Sequence, residues 1–256
     1  MKGHRPRRRF GQNFLADPHY VDRIVAAIDP ARGDNIVEIG PGLGALTGRL
    51  IERSGRITAI EIDRDLAARI RAEHPLGALH LEVADALEFD FASLGDALRV
   101  VGNLPYNISS PLLFRIAAHR VQLRDVHVML QREVVARMVA KPGTPEYGRL
   151  SVMLQSVFGI ERLFGVPAGA FRPAPKVESA VARLTPLREN EPAIANRELF
   201  SKIVTAAFGK RRKTLRNALA GIADQATLER CGIDPSDRGE TLSVADFVQL
   251  ANTITT

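Results

Sequence analysis

With 256 residues, 45% of them apolar and 25% charged, the chain has the composition of a globular protein holding one large domain, or one large and one small. Its single cysteine, Cys231, excludes a disulfide scaffold and fits a reducing cytoplasm. Its six scattered histidines form no metal-binding pattern, and no apolar run reaches membrane-spanning length. The net charge of +6 is concentrated in two acid-free islands, Lys2, Arg5, Arg7, Arg8 and Arg9 near the start and Lys202, Lys210, Arg211, Arg212, Lys213 and Arg216 further on, while the remainder is neutral to acidic. Islands of one sign attract a polyanion by releasing its counterions, so nucleic acid is the first partner to consider, against the plainer alternative of solvated faces.

In chain order, the first island leads into Phe10-Gly11-Gln12-Asn13-Phe14-Leu15; it is Arg-rich like a transit peptide but too short for one. Asp17 can cap a helix with Pro18 in its first turn and Val21, Ile24, Val25 and Ile28 at helical spacing. Apolar runs at 35–40, 57–62, 79–84, 98–101 and 126–130 then alternate with helical stretches such as 66–73 and 111–118. Val, Ile and Leu on both parities are what strands buried on both faces of a parallel sheet require, so the pattern predicts an open α/β sheet with crossover helices. Residues 177–184 form a later strand that could close the sheet as a hairpin partner. The proline-punctuated stretch 185–197 reads as a linker. Short helices follow at 199–208, after Gly209, at 226–231 and at 244–252, the last opened by a Ser243–Asp246 capping box. The expected division is 1–186 and 187–256.

The first strand ends in Glu38-Ile39-Gly40-Pro41-Gly42-Leu43-Gly44, where glycines let backbone approach a ligand. The next strand ends at Glu61 and Asp63, placed to accept ribose hydroxyls, and a third at Asp85, placed to accept from an adenine amine. A turn spaced G-x-G-x-G with no Lys or Arg in it suits a nucleoside without phosphates, S-adenosylmethionine being one. By itself Asp85 is an ordinary turn residue. The fourth strand runs into Asn103-Leu104-Pro105-Tyr106. The Asn103 side-chain oxygen and the Leu104 carbonyl could both accept from the exocyclic amine of a base. That amine is a poor nucleophile because its lone pair is delocalised, and two acceptors favour its pyramidal, reactive form. Pro105 shapes the turn without offering a donor, and Tyr106 offers a stacking face.

These residues are similar to those of the ribosomal RNA adenine N6,N6-dimethyltransferases, and within them the bacterial small-subunit (16S) branch. The matching blocks run nearly end to end: FGQNFLADP, VEIGPGLGALT, AIEIDRDL, VVGNLPYNISSPLLF, YGRLSVMLQ, GAFRPAPKVESAVARL and FGKRRKTLRNAL. The resemblance implies a Rossmann-like class I methyltransferase sheet with a small helical C-terminal domain that binds RNA. It places the methyl donor, S-adenosylmethionine, on Gln12, Asn13, Leu15, Gly40, Gly42, Glu61, Asp85 and Asn103. It makes Asn103, Leu104, Pro105 and Tyr106 catalytic, with Phe171 facing the target base opposite Tyr106. Without the resemblance, FGQNFL reads as a helix-entry staple and Phe171 as loop packing. The implied activity is dimethylation of two adjacent adenosines in a hairpin loop near the 3′ end of small-subunit rRNA. The expected substrate is an immature 30S particle, met in the cytoplasm by a monomer with no metal or membrane. RNA contacts are expected at Arg7, Arg8, Arg9, Lys210, Arg211, Arg212, Lys213 and Arg216, and Lys210 departs from the Gln common there. A helix starting after Gly209 would bury Leu215, Leu219 and Ile222 while Lys210 and Lys213 point away.

Overall fold

Runs of β-branched and leucine residues become the strands of a seven-stranded sheet, and the amphipathic stretches between them become its crossover helices. The computed structural model describes residues 12–75, 77–187, 193–210 and 212–255. The first elements are β1 (Phe14–Leu15), α1 (Pro18–Ile28), β2 (Asn35–Ile39), α2 (Thr47–Ser54), β3 (Ile57–Ile60), α3 (Arg64–Glu73) and β4 (Leu79–Glu82). After them come β5 (Leu98–Asn103), α4 (Ser109–Ala118), β6 (Leu123–Gln131), α5 (Arg132–Met138), α6 (Arg149–Gln155), β7 (Phe158–Val166), β8 (Phe171–Arg172) and β9 (Ser179–Pro186). Asp17 caps α1 by accepting from the His19 N–H, and Asp63 caps α3 by accepting from Asp65.

The sheet order is β4-β3-β2-β5-β6-β9-β7. The first five are parallel, and β9 runs antiparallel to β6. Ile36, Val37, Val100, Val101, Val126, Val128 and Leu130 are almost wholly buried, as strands covered on both faces demand. The chain builds outward from β2 to β4 and then returns to start β5 on the other side of β2. That switch opens a crevice at the carboxyl ends of β2 and β5, where open α/β sheets bind ligands.

Two features were not foreseen. β7 is an edge strand whose Gly159, Glu161, Arg162 and Gly165 break the apolar pattern, and the late strand β9 lies between it and β6. A separate two-stranded ribbon joins β1 to β8, pairing Phe14 with Arg172 and Leu15 with Phe171.

The chain forms two compact units, one running through Val135 and resuming at Ile160–Pro186, the other made of Ala136–Gly159 and Leu187–Thr256. The division at 186/187 left 136–159 with the first; packing puts them in the second, because Tyr147 and Val152 belong to the helical core. There the Tyr147 hydroxyl donates to the Leu242 carbonyl at 2.9 Å. The second unit adds α7 (Arg197–Gly209), α8 (Leu215–Ala218), α9 (Gln225–Arg230) and α10 (Val244–Thr255) around Phe200, Ile203, Val204, Leu228, Phe247 and Leu250. The Ser243–Asp246 capping box forms, each residue's side chain accepting from the other's backbone N–H. No helix starts directly after Gly209. The backbone at Lys210 is extended, and the next helix is one turn beginning at Leu215. Its first donors are taken by the loop at 235–237: Leu215 N–H bonds the Asp237 carbonyl at 2.7 Å and Arg216 N–H the Pro235 carbonyl at 3.0 Å. Leu215 and Leu219 are nevertheless fully buried, and Ile222 is partly so.

Candidate active site

The glycine turn closes the carboxyl end of β2. Gly40, Gly42 and Gly44 all have left-handed backbones, with φ of 64°, 61° and 81°. At Gly42 a Cβ would also stand 2.9 Å from the Phe14 ring, so β1 packs directly on the turn. The Gly42 N–H donates to Glu61 at 3.2 Å, and the Asp63 N–H donates to the other Glu61 oxygen at 2.9 Å. Burial raises the Glu61 carboxyl above its ordinary range, partly opposed by those two bonds. Glu38, just before the turn, is fully buried and accepts from the Thr47 hydroxyl at 2.7 Å. Burial pushes its carboxyl up to about 7, with the Thr47 bond opposing and the Glu61 charge adding to the rise. Asp85, three residues past the end of β4, forms an Asx turn, accepting from the Leu87 N–H at 2.9 Å, and lines the crevice.

β5 brings the tetrapeptide beside that turn. Gly102 is obligatory there, since a Cβ would lie 2.8 Å from the Ile39 carbonyl and 2.8 Å from the Leu104 side chain. The Leu104 side chain is buried and its N–H donates to the Met129 carbonyl at 3.1 Å, which leaves its own carbonyl as the group available for chemistry. The Asn103 amide donates through Nδ2 to the Asn13 carbonyl at 2.9 Å. With its nitrogen committed to the N-terminal segment, the oxygen is the end of the amide left to accept. Gln12 donates to Asp63 at 3.2 Å, so the segment spans from the acids that follow β3 to the tetrapeptide. Ala16 and Asp17 donate to the Ala170 carbonyl, which holds the segment down.

One chamber is thus lined by Gln12, Asn13, Gly40, Gly42, Glu61, Asp85, Asn103, Leu104, Pro105 and Tyr106. Among the described residues, no Lys, Arg or His lines it. Leu15 lies on a smaller adjoining hollow beneath the glycine turn, shared with Glu38 and Asn103. Among the described residues, no group of His, Cys, Asp and Glu could hold a metal ion, and no helix is long and apolar enough to cross a membrane.

The profile of the family described as ribosomal RNA adenine dimethylase matches residues 3–256. The chain belongs to this family. Among its relatives, a protein of Aromatoleum aromaticum called ribosomal RNA small subunit methyltransferase A is 55% identical over 99% of this chain and 96% of its own length. One of the same name from Chromobacterium violaceum is 52% identical over 98% and 97%. A crystal structure of a dimethyladenosine transferase from Plasmodium falciparum shares the fold, with a TM-score of 0.81 over 93% of this chain and 95% of that one at 24% identity. The 23S rRNA methyltransferase ErmE superimposes with a TM-score of 0.69 at 25% identity, over 95% of this chain and all of its own. As a ribosomal RNA adenine dimethylase, the chain is a methyltransferase with a class I, Rossmann-like catalytic sheet, and its methyl donor is S-adenosylmethionine.

Within this dimethylase frame, the structure departs from the sequence reading at Phe171. Its side chain is fully buried and packs in the cluster of Leu15, Val166 and Ala170 instead of lining the chamber. The cause is the β1–β8 ribbon, which turns Phe171 inward against Leu15. Lys210, Arg212, Lys213 and Arg216 are exposed on the helical unit. Arg7, Arg8, Arg9 and Arg211 lie outside the described residues. Sequence reasoning missed Ile62 and Leu87, apolar walls of the chamber. Ile62 is 44% exposed, and an isoleucine following a strand-end glutamate was its one signal.

Proposed function

We propose that this dimethylase converts two adjacent adenosines, in a hairpin loop near the 3′ end of small-subunit rRNA, to their N6,N6-dimethyl forms. The chamber fits the methyl donor on its own chemistry. Glu61 and Asp85 offer carboxylate acceptors just beyond β3 and β4, the glycine turn admits close backbone approach, and among the described residues none that lines the chamber is a cation that would pair with a phosphate. Bound there, S-adenosylmethionine supplies an electrophilic methyl carried on a sulfonium.

The chain's own residues do the rest. Asn103 Oδ1 and the Leu104 carbonyl accept from the adenine amine, which draws its lone pair out of conjugation and aims it across the chamber. Positioned acceptors of this kind are worth about 10²–10³ in rate. Tyr106 stacks on the base, a contact worth about 1–3 kcal/mol. A strong base is unnecessary, because the methylated nitrogen is cationic and releases its proton readily to water. The single observation that carries this reading is the bond from Asn103 Nδ2 to the Asn13 carbonyl, which engages one N–H, fixes which end of the amide faces the segment and leaves its oxygen to accept from the substrate.

The sheet-bearing unit performs the chemistry, and the helical unit grips RNA phosphates through Lys210, Arg211, Arg212, Lys213 and Arg216, with Arg7, Arg8 and Arg9 assisting. The substrate is an immature 30S particle, met in the cytoplasm by a monomer. The small-subunit assignment rests on relatives more than half identical over nearly the whole chain. The test incubates the protein with labelled donor and immature small or large subunits, then maps the product by primer extension. A block at adjacent adenosines of the small-subunit rRNA is expected. A block confined to the large-subunit rRNA overturns the assignment.

A further inference from the structure

Ser179 is the first residue of β9, opposite Gln131 at the carboxyl end of β6, and it is fully buried. A buried hydroxyl at a strand end needs a partner. Its partner is the Tyr106 phenol, 2.6 Å away. Ser179 does not line the chamber, whereas Tyr106 does. The phenol oxygen therefore points away from the chamber into the sheet, and the ring is anchored at its far end. The anchor is itself fixed. Arg132 N–H donates to the Glu178 carbonyl at 2.9 Å and the Arg132 guanidinium bonds the Glu178 carboxylate at 2.6 Å, which locks the entry of β9 onto the exit of β6. At its other end, the Tyr106 carbonyl accepts from the Ser109 hydroxyl at 3.1 Å, tying the residue to the start of α4.

We infer that Ser179 is a positioning residue for methyl transfer: through the Tyr106 hydroxyl it holds the aromatic ring at the one inclination that stacks the target adenine with its amine between Asn103 and Leu104. The inference rests on the reading of Tyr106 as the stacking ring. A tyrosine ring turns about two bonds, χ1 and χ2, and a stack that tilts moves the amine away from the acceptors that activate it. An anchor remote from the base therefore acts on the rate of transfer and leaves donor binding unaffected. It also explains why this position holds a tyrosine: a phenylalanine has the same stacking face and nothing for β9 to hold.

The test measures single-turnover methylation of immature small subunits by the full-length protein, with donor affinity measured separately by calorimetry. Ser179→Ala and Tyr106→Phe remove the same bond from opposite sides. Each is expected to slow transfer about tenfold, with donor affinity unchanged, and the double variant to be no slower than about tenfold. Ser179→Thr, which keeps the hydroxyl, is expected to recover to within about threefold. Full speed in either single variant, or losses that multiply in the double, overturns the inference. Should Ser179→Ala not fold, Tyr106→Phe decides the matter, because it leaves the strand untouched. Tyr106→Ala separates this inference from the reading beneath it. Normal transfer in Tyr106→Ala sinks the stacking role itself. Lost transfer there, with normal Tyr106→Phe and Ser179→Ala, sinks only the anchor.

Discussion

Strand β5 carries a buried arginine near its amino end and a half-buried asparagine at its carboxyl end, and the two are satisfied in different ways. At its amino end Arg99 spends every guanidinium nitrogen. Nε and Nη2 bond Asp125, Nη1 bonds Asp34 at 2.7 Å and the Asp29 carbonyl at 3.0 Å, and Nη2 also reaches the Ile28 carbonyl. At its carboxyl end Asn103 lines the chamber with its nitrogen engaged by the Asn13 carbonyl, and its oxygen is the end left to accept. A closed network fastens α1, β5 and β6 together and has nothing left to offer a ligand. An amide held by half of its capacity is both aimed and available. Full pairing marks structure, and a fixed group with spare capacity marks chemistry.

The sharpest way to break this contrast is to exchange the outcomes. Asn103→Ala is expected to reduce methyl transfer about 10³-fold while shifting Tm by no more than about 2 °C, since it removes one acceptor and one partly exposed bond. A variant that unfolds without losing specific activity would reverse the assignment. Arg99→Met is expected to cost about 3 kcal/mol in denaturant titration, because Asp34 and Asp125 lose the buried cation they share and keep only Arg124 and His127 beside them. Its folded fraction is expected to transfer methyl groups at the normal rate, measured at a temperature where the variant stays native.

Titration sharpens the contrast further. Burial works to raise the Asp125 carboxyl, but His127 and Arg99 together hold it down at about 2. Its stabilising contribution is complete above the ordinary aspartate range and lost as pH falls toward 2. Glu38, on the site side, has the opposite sign. With its carboxyl raised from 4.5 to about 7, the folded state holds the extra proton, so stability declines as pH rises between those values, by on the order of 3 kcal/mol. Glu38→Gln is expected to flatten that decline in a series of thermal melts from pH 5 to 8. An unaltered slope would mean that Glu38 is ionised in the fold. The smallest effect is expected on the helical unit, where Lys210→Glu with Arg212→Glu should weaken RNA binding several-fold and lower its salt slope by about 2. Tm and donor affinity should stay put, and an unchanged salt slope would return these side chains to a merely solvated face.

Much of the candidate site was legible in the sequence. Glu61, Asp85 and Asn103 announce themselves because apolar runs stop abruptly at polar residues, and period and composition locate such stops well. The glycine turn was visible for the same reason. What escaped were relations between distant segments. Phe171 looks the same in sequence whether it faces a base or a core, and only its pairing with Leu15 decides. The bond from Asn13 to Asn103 spans 90 positions and involves a backbone carbonyl, which no residue type encodes. The helical unit's border was misplaced because 136–159 carries no linker composition; its membership is settled by what Tyr147 and Val152 touch. The short α8 was hidden by a loop that takes its first donors.

The order of the last strands has a consequence for biosynthesis. β7 is translated before β9 yet sits outside it, at the rim of the sheet. When β7 emerges from the ribosome, the place beside β6 belongs to a segment not yet made. Sheet completion therefore waits for residue 186, and a nascent chain halted between the two strands exposes the flank of β6 as a ready surface for chaperones or for misassembly.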